Sequence, residues 1–191
     1  FDNNKVTIRR LLSHTAGLTD GLGYEGFGPN EKVQSLEASL TKASDGPYSD
    51  GEAKVGYEPG NDHQYSGASY TLLQLIIEEV TEQSFQTYMT QEIFEPLGMV
   101  NSTFVLADRP DLKLAKLYKN DGKTISPPYR FTALAAASLY TCTEDLTRFM
   151  KANINGNGVL TAATLTQMTT AEAFRNQIGV YALGPHLYSQ G

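Results

Sequence analysis

Apolar and polar positions follow a helical period over most of this chain, and short alternating runs break it in only a few places. Leu72, Leu73, Ile76, Ile77 and Val80 recur at helical spacing, with Gln74, Glu78 and Glu79 expected on the wetter side. Ser66 or Ser69 is placed to cap that helix. A second helix should begin near Ser84, carry Phe85, Tyr88, Met89 and Ile93, and end before Pro96. Leu146, Phe149, Met150 and Ile154 form the apolar stripe of a third. Its expected cap is Thr143, Glu144 and Asp145 suit its first turn, and Gly156 closes it. Thr161 starts a shorter helix with Leu165 and Met168 inward.

Near the start, Val6 to Leu12 reads as a short helix opening at Thr7 and stopping at Ser13-His14-Thr15-Ala16-Gly17. From Thr19 to Gly60 the chain is rich in Gly, Asp, Ser and Pro, with a helix expected from Asn30 to about Lys42. So long an irregular stretch is more often a functional rim than a linker. Asn101 to Leu106 and Leu114 to Tyr118 have strand character, around turns at Arg109-Pro110-Asp111 and Asp121-Gly122-Lys123. Gln177 to Leu183 is a further strand, expected to find few partners within these residues.

Composition narrows the function classes. The 191 residues are 40% hydrophobic, enough to bury a core, and length suggests one domain. A net charge of -6 argues against a nucleic-acid backbone or an anionic membrane surface as partner. No apolar run reaches the roughly 18 residues of a membrane span. A single cysteine, Cys142, excludes an internal disulfide and a cysteine-rich zinc site, and it reads as a buried small residue. His14 and His63 lack a carboxylate at ligand spacing on a shared helix face, so they do not read as a metal site. His14 should instead satisfy backbone at a helix end.

The segment with the most chemical content is Pro59-Gly60-Asn61-Asp62-His63-Gln64-Tyr65-Ser66-Gly67. It sets a phenol at the mouth of a helix. A phenol titrates near 10 in water and serves as a general base only where neighbouring cations pull it down.

Four segments in consistent order resemble the serine β-lactamase and penicillin-binding-protein family, in its class C and esterase-like branch. They are Val6 through Leu18 (Val-Thr-Ile-Arg-Arg-Leu-Leu-Ser-His-Thr-Ala-Gly-Leu), Pro59-Gly60 leading to Tyr65-Ser66, Ile93-Phe94-Glu95-Pro96-Leu97-Gly98-Met99, and Ala137-Ser138-Leu139-Tyr140 leading into Thr143-Glu144-Asp145-Leu146. The resemblance implies an α/β (α+β) β-lactamase/transpeptidase-like fold, of which these residues form a mainly helical piece with a few short antiparallel strands. It implies a serine nucleophile in Ser-x-x-Lys, a tyrosine base in the second motif, and a Lys-Thr-Gly or His-x-Gly strand. Tyr65 then stands at the catalytic tyrosine, Ser66 as its support and a partner for a catalytic lysine, and Gly67 where the family usually has asparagine. The Gly21 to Gly28 loop is expected at the cleft rim.

The first and third motifs are expected outside residues 1–191, which makes this an internal, partial domain. Ser39-Leu40-Thr41-Lys42 spells Ser-x-x-Lys but on the wrong side of Leu11-Leu12. Lys123-Thr124 and His186-Leu187-Tyr188 lack the following glycine. The expected function of the whole protein is a serine acyl-transfer hydrolase, acting through an acyl-enzyme without metal or cofactor on a β-lactam, a D-alanyl peptide or an ester. The alternative is a penicillin-recognising sensor that keeps the fold without catalysis. The 191 residues alone should be inert, and the resemblance implies a periplasmic or secreted setting.

Overall fold

The computed structural model describes residues 2–19, 25–45, 52–156, 158–174 and 179–188. Most of its helices start where the sequence offers a capping oxygen. Thr7 accepts the Arg10 N–H ahead of α1 (Ile8–Leu12), and Ser35 that of Ala38 ahead of α2 (Leu36–Thr41). Ser66 accepts from Ser69 ahead of α3 (Gly67–Thr81), and Ser84 from Thr87 ahead of α4 (Phe85–Met89). A π-helical turn, Thr90–Phe94, leads directly into α5 (Glu95–Leu97). Then follow α6 (Leu134–Ala137), α7 (Thr143–Asn155) and α8 (Ala162–Met168), the last capped by Thr161.

Several of these elements depart from the sequence expectation. The helix expected from Asn30 starts only at Leu36, because Gln34 is committed elsewhere. Its side chain donates to the Lys42 carbonyl at 2.7 Å and accepts from the Ser44 N–H at 3.1 Å, so the cap falls to Ser35. The second helix does not end before Pro96. In a regular α register the proline ring would strike the carbonyl four residues back. The wider π turn just ahead shifts that register, and Gly98, at φ 67°, closes the helix instead. At α7 the cap position belongs to Cys142, which is half-buried rather than buried and makes no capping bond; Thr143 is the first helical residue.

Burial on α3 also differs. Gln74 is buried, donating to the Thr132 carbonyl at 3.3 Å and accepting from the Ala135 N–H at 3.2 Å, while Val80 is 78% exposed. This helix is covered by α1, α2, α4 and α6, so its sides are not sorted into one dry and one wet face. The α7 stripe has the predicted spacing but lies open: Met150 is 59% and Ile154 78% exposed. Periodicity shows which residues share a face; it does not show that something covers it.

Short antiparallel ladders complete the fold. β1 (Leu18–Thr19) pairs with β2 (Lys54–Val55), and β3 (Leu117–Tyr118) with β4 (Ile125–Ser126) about the predicted Asp121–Lys123 turn. β5 (Ala173–Phe174), β6 (Gly179–Tyr181) and β7 (His186–Tyr188) form a three-stranded sheet in that order. β6 thus finds two partners within the chain, contrary to expectation; Gln177 and Ile178 lie outside the described residues. Asn101 to Leu106 is no strand but an isolated bridge, Thr103 to Tyr140, running into a 3₁₀ turn at Leu106–Asp108.

Two apolar clusters hold these parts. Leu11, Ala16, Leu18 and Ala68 join α1, β1 and α3, with Leu72, Leu73 and Ile76 packed against them. Phe85, Phe94, Met99 and Phe104 form the second, where Phe104 meets Phe85 edge-on at 4.9 Å and stacks on Phe94 at 5.6 Å. Each such buried ring contributes on the order of 1.5–3 kcal/mol. The first cluster lies beneath the start of α3, where the candidate site is built.

Candidate active site

Tyr65 is placed by a segment remote in sequence. The chain leaving α1 turns through His14 at φ 55° and Gly17 at φ 71°, left-handed conformations that histidine tolerates better than most residues and glycine best. That turn points carbonyls at the loop before α3. Gly17 O accepts from Gly56 and Tyr57, Thr15 O from Gly60 at 2.8 Å, and His14 O from Gln64 at 2.8 Å. A Cβ on Gly17 would lie 2.4 Å from the Tyr57 carbonyl oxygen, so the approach requires glycine. The last link is a side chain: His14 Nδ1 accepts the Ser66 N–H at 3.2 Å.

These bonds deliver a half-exposed phenol. Tyr65 is 53% exposed, and its ring lies tilted against His14 at 4.7 Å. His14 is buried and also touches Tyr70 at 5.3 Å, His63 at 5.7 Å and Tyr181 at 5.5 Å. His63 in turn stacks on Tyr181 at 4.3 Å. The cluster therefore joins α1, the loop before α3 and β6 at one point. Tyr70 donates its hydroxyl to the Leu12 carbonyl at 3.2 Å, and burial raises its pKa. It is a supporting group, whereas Tyr65 is the exposed phenol of the pair.

Ser66 is buried under Tyr65, with its hydroxyl oxygen accepting the Ser69 N–H at 3.2 Å. Gly67 opens α3 and is buried, so the position offers no side-chain amide to a ligand. The expected trio is thus contiguous and held by one device. Of the expected rim, residues 21–24 lie outside the described residues, while Phe27 bridges to Arg130.

The remaining motif look-alikes are accounted for by local structure. Ser39 is buried and donates to the Leu36 carbonyl at 2.7 Å, while Lys42 has left the helix at φ −156°. The pair therefore does not share a helix face. The Lys123 and Thr124 N–H groups both donate to Asp121 Oδ1 at 2.8 Å in the exposed β3–β4 turn. His14 does satisfy backbone, as expected, but its partner is the loop carrying Tyr65. Tyr70 and Tyr181 escaped the sequence reading, since nothing in their spacing points to the same cluster.

Burial, and His63 beside it, lower the His14 pKa to about 4. Unfolded histidine titrates near 6.5, so between those values the unfolded chain holds the extra proton. The contribution is present in full above pH 6.5 and is lost as pH falls through 4. It amounts to about 3 kcal/mol. Urea unfolding at pH 7 and pH 4.5 is expected to show this fall, and His14→Asn should reduce it. Equal pH slopes in the two proteins would show that His14 does not titrate this way.

The Beta-lactamase family model matches residues 1–180. The chain belongs to the beta-lactamase family. Protein flp of Staphylococcus aureus (strain MW2) is 30% identical over 156 residues, covering 80% of this chain and 30% of that protein. The putative penicillin-binding protein PbpX of Bacillus subtilis (strain 168) is 26% identical over 161 residues, covering 82% and 37%. The chain thus spans about a third of the length of these curated relatives. In fold it is similar to a penicillin binding protein from Bacillus halodurans, with TM-score 0.76 and 22% identity, covering 100% of this chain and 59% of that one. It is also similar to D-amino acid amidase from Ochrobactrum anthropi SV3, with TM-score 0.72 and 23% identity, covering 96% and 55%. This beta-lactamase-family chain accordingly has the β-lactamase/transpeptidase-like fold expected of it, and relatives of that fold are serine hydrolases.

Proposed function

We propose that the full-length protein is a serine acyl-transfer hydrolase in which Tyr65 is the general base. The observation that carries this reading is the delivery of a half-exposed phenol to the mouth of α3 by the Ser13–Gly17 segment. A tyrosine that served only the core would be buried among the rings around it. In the reaction, the Tyr65 phenolate takes the proton of a serine hydroxyl as that oxygen bonds to the substrate's acyl carbon. The proton then passes to the leaving group as its bond to carbon breaks, and water releases the acyl-enzyme by the same route in reverse. The nucleophile and the cations beside the phenol belong to the family's Ser-x-x-Lys and Lys-Thr-Gly or His-x-Gly motifs.

Ser66 supports the base from beneath, capping α3 and meeting the catalytic lysine in the full-length protein. Gly67 removes the side-chain amide that would grip an acyl-amide, which favours esters and a broad substrate range over peptide-like ones. β-Lactams, D-alanyl peptides and D-amino acid amides remain within the class. The setting that fits this chemistry is periplasmic or secreted.

The intact mass of the full-length protein, taken before and after excess of a slowly released β-lactam, tests the reading. A gain of one drug mass is expected. No gain, with reversible binding of the same drug, would overturn it in favour of a sensor that binds without acylation.

A further inference from the structure

We propose that His14 is a positioning residue for Tyr65, acting as a neutral acceptor for the Ser66 amide; the inference rests on the reading of Tyr65 as the base. The N–H of Ser66 belongs to the peptide bond that follows Tyr65. Fixing that peptide plane fixes ψ of Tyr65 and with it the direction in which the phenol leaves the backbone. The hydrogen bond spans 52 residues of sequence and is itself buried.

The start of α3 explains why a remote residue is needed. Where a capping box forms, a Glu or Gln three residues into the helix reaches back to the N–H of the capping residue. Here that position is Ser69, too short to do so; its N–H donates to the Ser66 hydroxyl, so only the other half of the box is formed. His14 supplies the missing acceptor. It is held for the task on several sides: its N–H bonds to Leu11 O at 3.3 Å, its carbonyl to Gln64, and its ring sits between Tyr65, Tyr70 and Tyr181. The same ring lies against Tyr65 at 4.7 Å and limits how far the phenol can swing. A proton on Nδ1 would turn the acceptor into a second donor aimed at the Ser66 N–H, so the bond exists only with the neutral ring. Burial keeps the ring neutral.

Two substitutions in the full-length protein separate the acceptor from the rest of the side chain. Asparagine and glycine both accept the left-handed backbone of position 14, and both remove the ring. Asparagine alone keeps an oxygen one bond beyond Cγ, close to where Nδ1 stands. His14→Gly is expected to lower kcat for p-nitrophenyl acetate by about 10²-fold, since misplacement of a catalytic group by about 1 Å costs that much. KM should stay nearly constant. His14→Asn is expected to recover most of the lost kcat. Hydrogen exchange of the Ser66 amide reads the bond without reference to catalysis: slow in the wild type and in His14→Asn, fast in His14→Gly. Equal kcat in the Gly and Asn variants, or a Ser66 amide equally protected in both, would overturn the role assigned to His14. Undiminished turnover in Tyr65→Phe would instead remove the base, leaving the exchange result to stand by itself.

Discussion

Tyr65→Phe in the full-length protein is expected to lower kcat by roughly 10²–10⁴-fold, the range for loss of a positioned general base. The substitution deletes one oxygen and keeps the ring. The tilted contact with His14 at 4.7 Å survives, and so does the apolar cluster beneath the start of α3. Stability should therefore change little, and the unfolding midpoint serves as a control on the fold. Tyr70→Phe is the matched comparison, because its half-buried phenol donates to Leu12 O. It should lower stability by about 1 kcal/mol, the worth of one hydrogen bond, and spare kcat. A Tyr65→Phe protein with kcat within threefold of wild type, or a loss equal to that of Tyr70→Phe, would end the assignment.

The legibility of this site in the sequence was uneven, for physical reasons. Caps are local chemistry, and so Thr7, Ser66, Ser84 and Thr161 could be read from neighbouring residues alone. The order of several motifs singles out the contiguous Tyr65-Ser66-Gly67 as the candidate trio. What holds it was not found, since the Ser66 to His14 bond links residues far apart and a histidine after a helix has many ordinary uses. The same limit appears elsewhere. Gln74 looks like a wet-face residue by period but is buried because its amide serves the Thr132–Ala135 backbone. Pro96 looks like a helix terminator, yet the chain absorbs it by widening the turn before it. A helical period reports a face, and tertiary bonds decide what the face meets.

Asp145→Ala is the second large effect expected, and it acts on the fold away from Tyr65. The carboxylate is fully buried, at 0% exposure, in the first turn of α7. One oxygen accepts the Asn101 N–H at 2.7 Å and the Ser102 hydroxyl at 2.9 Å, and the other accepts Arg148 Nη1 at 2.8 Å. The helix N-terminus favours the negative charge as well. Through these bonds Asp145 ties the start of α7 to the segment that bridges Thr103 to Tyr140, and that segment carries Phe104 of the second core cluster. Alanine would leave the Asn101 N–H without this acceptor and the buried Ser102 hydroxyl with Thr141 Oγ1 as its remaining partner at 2.8 Å. Arg148 would keep its exposed partner Glu144 at 2.6 Å. Losing a buried carboxylate that accepts three hydrogen bonds costs about 3 kcal/mol, a large fraction of the stability of an ordinary domain. Asparagine keeps the shape but replaces one acceptor oxygen with a donor NH2, which must face either the Asn101 and Ser102 donors or the Arg148 guanidinium. Its cost should be about 1–3 kcal/mol. Arg148→Ala leaves Asp145 its two other donors, so it should cost less than Asp145→Ala. The order Ala at 145, then Asn at 145, then Ala at 148, read from urea unfolding midpoints, distinguishes a carboxylate that organises its donors from one that merely pairs with an arginine. If Arg148→Ala matched Asp145→Ala, the ion pair alone would account for the effect, and the bonds to Asn101 and Ser102 would carry no weight in stability.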